Sequence, residues 1–593
     1  MIPFMSSFGE QSARPRQRIT LEKLQWILIG ALAAVSGALG YIGFLKHSLA
    51  YGPERTVSDI IYLTLQLFAI ESGSLPGTLP VELDAARFLA PVATAGAVLK
   101  TMAVVFRDRL RLFRVGRMRD HTVVCGLGRK GTQFVADFSR VDSGIVAIER
   151  DSENDNVRTC DALGVPVLIG DATDITLLRR AGVDRARHIV STCGDDGLNV
   201  DVAILAYGLA ARRRSDAEPL RCSVQIADLR LSQLLEEHGI LTRLEDRFEA
   251  SIFNVYQLSA RRLLHDHPLD YVGITPDDPR VPHLVIVGFG QMGESIAVQA
   301  AKIGCFANGC KLRLDVIDRV AEARKEKFRG EHPAVDRLTD MTFIEGDAHD
   351  PGMLDRIRAW SEDEDTITSV AVCLDDDPRA LSCALAILSR LEQRSTPLLV
   401  RMADSIGLAT LLESEGEHSA WTRHVHAFGM VDTMCTREAL LHEEQDKLAR
   451  AIHEDYVRRA RARGRSDSDR AMRPWSRLDE SLRNSNRQSA DHIPVKLRAI
   501  GCASSAEPLD APEVEEFTEE EIELLSRMEH ARWCSERILQ GWSDGPRDHE
   551  HRTTPYLVGF DDLPEEIKDY DRDAVRAIPG YLKAVGKKIY RVG

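Results

Sequence analysis

The sequence predicts a membrane helical hairpin, with two transmembrane helices and a short pore-like helix between them. Two α/β Rossmann-like lobes and an α-helical C-terminal domain follow. Three observations lead there: an uncharged apolar run near the start, a strand–glycine loop–helix pattern that occurs twice, and a closing segment rich in tryptophan and arginine. The 593 residues are 44% hydrophobic and 28% charged, an ordinary balance for several packed domains and the wrong one for a disordered chain. Eleven cysteines with no Cys-x-x-Cys pair exclude a disulfide scaffold and a zinc ribbon, and no metal-ligand pattern stands out. A net charge of -15 argues against nucleic acid as a partner. That charge is unevenly placed, since the first 124 residues carry 14 Lys/Arg against 9 Asp/Glu.

Residues 1–23 form a basic segment containing Arg14, Arg16, Arg18 and Lys23. The membrane region is 24–106. Residues 24–45 hold no charge, and at about 1.5 Å rise per residue that length crosses a bilayer core of about 30 Å. The second span, 88–106, is interrupted by Lys100, whose ammonium reaches the interface because it lies near the basic end. A connector at 107–120 carries Arg107, Arg109, Arg111, Arg114, Arg117 and Arg119. Basic flanks on both sides place both termini in the cytoplasm, with the chain in the cell (inner) membrane and the lipid bilayer as a partner. Residues 60–70, within a segment near 57–74, are too short to span. They read as a re-entrant half-helix or as an amphipathic helix at the outer interface, with Glu71 at its end.

The first lobe is 121–280 and the second 281–440. In the first, His121-Thr-Val-Val-Cys125 leads into Gly126-Leu-Gly128-Arg-Lys-Gly131, and a strand ends at Glu149. In the second, a strand leads into Gly288-Phe-Gly290-Gln-Met-Gly293, and another ends at Asp318. In this fingerprint the first glycine makes the tight turn, the second admits a pyrophosphate and the third lets the helix pack closely. The acid accepts bonds from a ribose diol. Arg150 and Arg319 follow the acids and partly offset their bias against a 2′-phosphate. The repeat extends further: Gly170-Asp171-Ala-Thr-Asp174 returns as Gly346-Asp347-Ala-His-Asp350, and Gln225-Ile-Ala-Asp228 as Arg401-Met-Ala-Asp404. No substrate domain with a paired histidine and carboxylate follows either lobe. His188, His283 and His349 read as lobe-surface or strand-edge residues. The chain is expected to bind NAD(H) or an adenine nucleotide and not to be an enzyme.

These motifs resemble potassium channels with tandem regulator-of-potassium-conductance (TrkA-N type) domains, and also the nucleotide-binding subunits of Trk-type uptake systems. The resemblance covers about residues 20–440. It implies a homotetramer with an eight-lobe cytosolic ring, a first nucleotide site at Gly126, Gly128, Gly131, Glu149, Arg150 and Asp171, and a second at Gly288, Gly290, Gly293, Asp318, Arg319 and Asp347. One departure stands out. The family's Thr-Val-Gly-Tyr-Gly filter is absent, and the corresponding place reads Phe68-Ala-Ile-Glu71-Ser-Gly-Ser74. Potassium selectivity from stacked carbonyls does not follow, although a ring of Glu71 carboxylates at a pore would favour cations.

Residues 441–516 are expected to be a helical linker region, and 517–593 resemble the ryanodine-receptor repeat (RyR) domain. Trp533, Trp542, Arg547, Arg552 and Tyr556 are its ligand candidates, because indole faces and guanidinium groups suit a nucleotide-like ligand. The plainer reading makes both tryptophans core anchors. The expected function is a ligand-gated cation channel controlled by tandem nucleotide-binding domains and an RyR-like sensor. The alternative is a non-conducting, membrane-anchored regulatory subunit of a potassium transport system.

Overall fold

A computed structural model describes residues 21–51, 55–71, 75, 77–141, 144–213, 218–238, 247–391, 396–403, 424–429, 431–438, 445–548 and 550–592. Arg14, Arg16, Arg18, Ser72 to Ser74, and Asp404 with its following helix lie outside these residues. The chain divides into two units, Met1–Arg114 and Val115–Gly593.

The first unit is built on helices Leu21–Tyr51, Val57–Gln66 and Val81–Arg117. The short middle helix begins at a capping box, in which Thr56 and Asp59 each satisfy the other's backbone N–H. Its buried face, Ile60 with Leu67 just beyond, packs with Phe44 of the first long helix and with Leu83, Ala86 and Ala90 of the last. Gly43 makes this closeness achievable, since a Cβ there would lie 2.6 Å from that of Leu83. Polar contacts fix the antiparallel register. Tyr51 meets Thr78 at 3.2 Å at one end. At the other, Lys100 donates to Gln25 at 2.9 Å and sits over the Trp26 ring. Among the described residues one helix, over Gln25–Tyr51, is long and apolar enough to cross a membrane. Large apolar side chains such as Leu28, Leu49, Phe88 and Leu99 remain exposed on both long helices, more than a water-facing surface normally shows.

The second unit contains two six-stranded parallel sheets of identical topology. The first comprises β1 (Thr122–Cys125), β2 (Ile145–Glu149), β3 (Val167–Ile169), β4 (His188–Ser191), β5 (Leu220–Gln225) and β6 (Phe248–Phe253), in the order β3-β2-β1-β4-β5-β6. The second comprises β7 (Val281–Val287), β8 (Leu312–Asp318), β9 (Thr339–Glu345), β10 (Thr366–Val372), β11 (Leu398–Arg401) and β12 (Val425–Phe428), in the order β12-β11-β10-β7-β8-β9. Both are the doubly wound order, with helices covering both faces, so the central strands are continuous apolar runs. The strand order reverses beside β1 and beside β7, and the glycine loops leave the sheets there. Val115, near the end of the helix Val81–Arg117, belongs to the first lobe's core, and Arg185 donates to its carbonyl at 3.1 Å.

Two expectations need correction. His188 and His283 are not surface or edge residues. They lie on the inner strands β4 and β7 at 4% and 0% exposure. His283 bonds Asp315 at 2.8 Å, so the imidazole is a satisfied core group. Burial pushes His188 down to about 4, keeping it neutral.

Nor is 441–516 a linker. Helices Gln445–Ala462 and Glu480–Ala499 contribute Ala449, Ile452, Ile493 and Leu497 to the core that also holds Leu284 and Ile296 of the second lobe. The strand Cys502–Ser505 pairs antiparallel with Lys588–Arg591, so the C-terminal domain is mainly helical with a small sheet. Its helix Glu519–Leu539 starts at a second capping box, Thr518 with Glu521.

Candidate functional site

Gly126 and Gly288 have φ of +88° and +89°, left-handed turns that glycine adopts without strain. A Cβ on Gly131 would stand 1.8 Å from the Gly126 carbonyl oxygen, and one on Gly293 would stand 2.5 Å from that of Gly288. The third glycine of each loop is thus held by the first. The middle glycines differ in kind: nothing lies within 4 Å of a Cβ on Gly128, and for Gly290 only Asp375 Oδ2, at 3.9 Å. These are open spaces at the start of the helices Arg129–Val141 and Gln291–Ile303. Free N–H groups and the positive helix end suit an anion there.

The acids brace the loops in the same way twice. Glu149 accepts from the backbone N–H of Leu127 at 2.7 Å and of Asp151 at 2.9 Å. Asp318 accepts from Phe289 N–H at 2.7 Å and Val320 N–H at 3.0 Å. A carboxylate has about four lone-pair sites, so each acid retains capacity for a ribose hydroxyl. A second repeated brace joins Asp196 to the N–H of Ala227 at 2.8 Å, and Asp377 to that of Ala403 at 3.0 Å.

The lobes diverge at the next position. Asp171 accepts from the N–H and hydroxyl of Thr173, bonds that hold its carboxyl below the usual range, with Arg150 adding to the effect. Asp347 accepts from His349 N–H at 3.0 Å and is ion-paired with Arg319, and both contacts keep it ionised. Arg319 is therefore already engaged, which removes it as a ready partner for a 2′-phosphate. Beside Gly290, Asp375 is ion-paired with Arg401.

Contacts at both glycine loops gather at the junction of the lobes. Lys130 lies over the Tyr256 ring at 5.4 Å, with Arg401 over the same ring at 5.8 Å. Gln291 donates to the Ala227 carbonyl at 3.4 Å. A change at either loop thus bears on the junction of the lobes.

In the C-terminal domain neither tryptophan is a core anchor. Trp533 and Trp542 are half-buried on the wall of a cleft of about 1630 Å³, which Arg547, Arg552 and Tyr556 also line. Arg552 donates to the Gln540 carbonyl at 2.7 Å. The domain is anchored instead by buried ion pairs. Lys496 donates to Glu529 at 2.6 Å, and Arg532 pairs with Glu529 and Glu536, each at 2.8 Å. Burial alone would raise Glu529, but Arg532 and Lys496 hold it well below the carboxylate range. Burial likewise opposes charge on His530, yet its bonds to Asp571 and Cys534 raise it to about 10.

Sequence spacing did not mark one further cluster. Donor atoms of Glu294, Glu331 and His332 lie within 4.8 Å of one another. Lys327 stands 3.7 Å from both carboxylates, so the group reads as an ion-pair cluster.

At the filter-like place Leu67–Ala69 form a 3-10 turn, Ile70 is left-handed at φ +66°, and the Glu71 N–H donates to Gln66 O at 3.1 Å, while Ser72 to Ser74 lie outside the described residues. The Glu71 side chain is exposed.

Two domain families are present. Residues 122–240 match the TrkA-N domain and residues 507–591 the RyR domain, so the latter begins earlier than the resemblance at 517 suggests. Potassium channel protein 1 of Methanocaldococcus jannaschii is 26% identical over 104 residues, 18% of this chain and 31% of that protein. The glutathione-regulated potassium-efflux system protein KefC of Cronobacter sakazakii is 29% identical over 152 residues, 23% of this chain and 24% of that protein. The chain spans less than a third of the length of these curated relatives. Among solved structures, GsuK bound to ADP shows 15% identity and a TM-score of 0.37, covering 72% of this chain and all of that one. The GsuK channel bound to NAD shows 14% identity and a TM-score of 0.37, covering 72% and 86%.

Proposed function

We propose that this chain is a membrane-embedded cation channel, in the potassium-transport class, whose opening is set by nucleotides bound at its two Rossmann-like lobes. The observation that carries the reading is the pair of glycine loops, each at a strand-order reversal. Each has an open space at its middle glycine and an acid poised beside it. NAD(H) or an adenine nucleotide fits that geometry: pyrophosphate at Gly128 or Gly290, ribose at Glu149 or Asp318. The chain binds the nucleotide and does not turn it over. The helix Val81–Arg117 carries Val115 into the first lobe's core. Copies assemble as a homotetramer with a cytosolic ring of lobes, both termini lying in the cytoplasm.

A second reading, a non-conducting regulatory subunit, is favoured by the Phe68-Ala-Ile-Glu71 sequence where a filter would stand. Single-channel recording separates the two. The channel reading expects cation current from the wild-type chain, and a lower conductance or weaker cation preference in Glu71→Gln. Absence of current from assembled protein with NAD, NADH, ATP and ADP present would leave the regulatory reading.

A further inference from the structure

The helix Glu519–Leu539 places His530 and Cys534 one turn apart on the same face, and the helix Glu565–Arg576 packs beside it with Asp571. Cys534 Sγ lies 3.4 Å from His530 Nε2, and His530 Nδ1 lies 3.3 Å from Asp571 Oδ2. Acid, imidazole and thiol thus stand in the order that activates a nucleophile.

The ring is fixed in place. His530 is 4% exposed, stacks on Trp533 with ring centres 5.7 Å apart and meets the Phe560 ring at 6.1 Å. Its Nε2 also lies 2.9 Å from the Val558 carbonyl. With Nδ1 facing a carboxylate and Nε2 facing a carbonyl, both nitrogens carry hydrogens, so the ring is an imidazolium. Its value raised to about 10 agrees. An imidazolium at this distance stabilises negative charge on sulfur, and the thiolate is the form that reacts.

The other partly exposed thiols lack this arrangement. Burial pushes Cys193 and Cys305 up, and Cys310 has no imidazole in contact among the described residues. The remaining cysteines besides Cys534 are buried. Glu529 and Arg532, which also face Asp571, are engaged in the ion pairs described above, and Cys305, which faces Cys534, stays a neutral thiol.

We infer that Cys534 is a redox modification site, onto which a small-molecule disulfide exchanges, with His530 and Asp571 as positioning residues. The thiol releases its proton to solvent and Sγ attacks one sulfur of the disulfide. A new S–S bond forms as the old one breaks, Cys534 is oxidised, and the second sulfur leaves as a thiolate with the electron pair. Cys534 Sγ also lies 3.8 Å from the Tyr556 carbonyl oxygen and 4.0 Å from that of Val558, so an adduct must push this loop off the helix. The inference is independent of nucleotide binding at the lobes.

The test exposes the full-length chain in detergent to hydroxyethyl disulfide at neutral pH and locates adducts by peptide mass spectrometry. One adduct per chain, on Cys534, is expected before any other cysteine reacts, and Cys534→Ser should lack it. His530→Gln should slow the exchange about tenfold at neutral pH, and its rate should climb more steeply between about pH 6 and 8 than that of the wild type, as for an ordinary thiol. Asp571→Asn should shift the profile in the same direction, and it serves where His530→Gln does not fold. A merely structural role would lower the melting temperature and leave the pH profile of exchange unmoved. Modification of Cys193, Cys305 or Cys310 ahead of Cys534 overturns the inference, as does one pH profile shared by the wild type and the folded variants.

Discussion

Gly131 and Gly128 are three positions apart and face different demands. A methyl on Gly131 meets the Gly126 carbonyl oxygen, so Gly131→Ala should destabilise the first lobe by about 3 kcal/mol, the upper range for overpacking. Gly128→Ala meets open space and should leave thermal stability near wild type while weakening nucleotide binding. Thermal melts and titration on the same two variants check this pair, and equal destabilisation in both would refute it. Such needs are local, which is why the glycine spacing and the following acids are readable in the sequence. The pairing of Arg319 with Asp347 is not, because it depends on a loop 28 residues away closing onto the strand end. His530 gives a second residue-scale outcome. Its folded value of about 10 lies above an ordinary 6.5, so the stability it contributes is complete below about pH 6.5 and lost as pH rises toward 10. The melting temperature of the full chain should fall across that window, less steeply in His530→Gln. Equal slopes in the two proteins would contradict the assignment.

At the scale of elements, the apolar run and the two strand–loop–helix units follow from periodicity and length, and the parallel sheets match that expectation. The region 441–516 was not legible. Its helices look solvent-facing because they carry Arg487 and Lys496, yet both side chains are buried against partners far away in sequence. Arg487 bonds Asp446 at 2.6 Å and also pairs with Glu480, while Lys496 reaches Glu529. A charge reads as surface until its partner is known. The hairpin carries its own element-scale prediction. Gly43→Ile should force the two long helices apart and lower stability in detergent by about 1–3 kcal/mol. Gly30→Ile on the same helix, with nothing within 4 Å, should be close to neutral. A melt that ranks the two the other way would show that the crossing at Leu83 is not close.

At the scale of the whole molecule, duplication explains much of the architecture. One doubly wound unit occurs twice, each copy keeping its glycine turn, its braced acid and its Asp-to-Ala tie, while the flanking charges have diverged. The RyR domain shares a core with the second lobe, and Val115 lies in the core of the first. In the proposed mechanism, nucleotide at the lobes controls a cation path through the membrane hairpin. The most direct measurement is potassium flux from proteoliposomes holding the full-length chain, with NAD, NADH or ADP added or withheld. The account predicts a flux that changes with nucleotide in the wild type and no longer responds when Gly128→Val and Gly290→Val are combined. A flux identical with and without every nucleotide, or none at all from assembled protein, would contradict it.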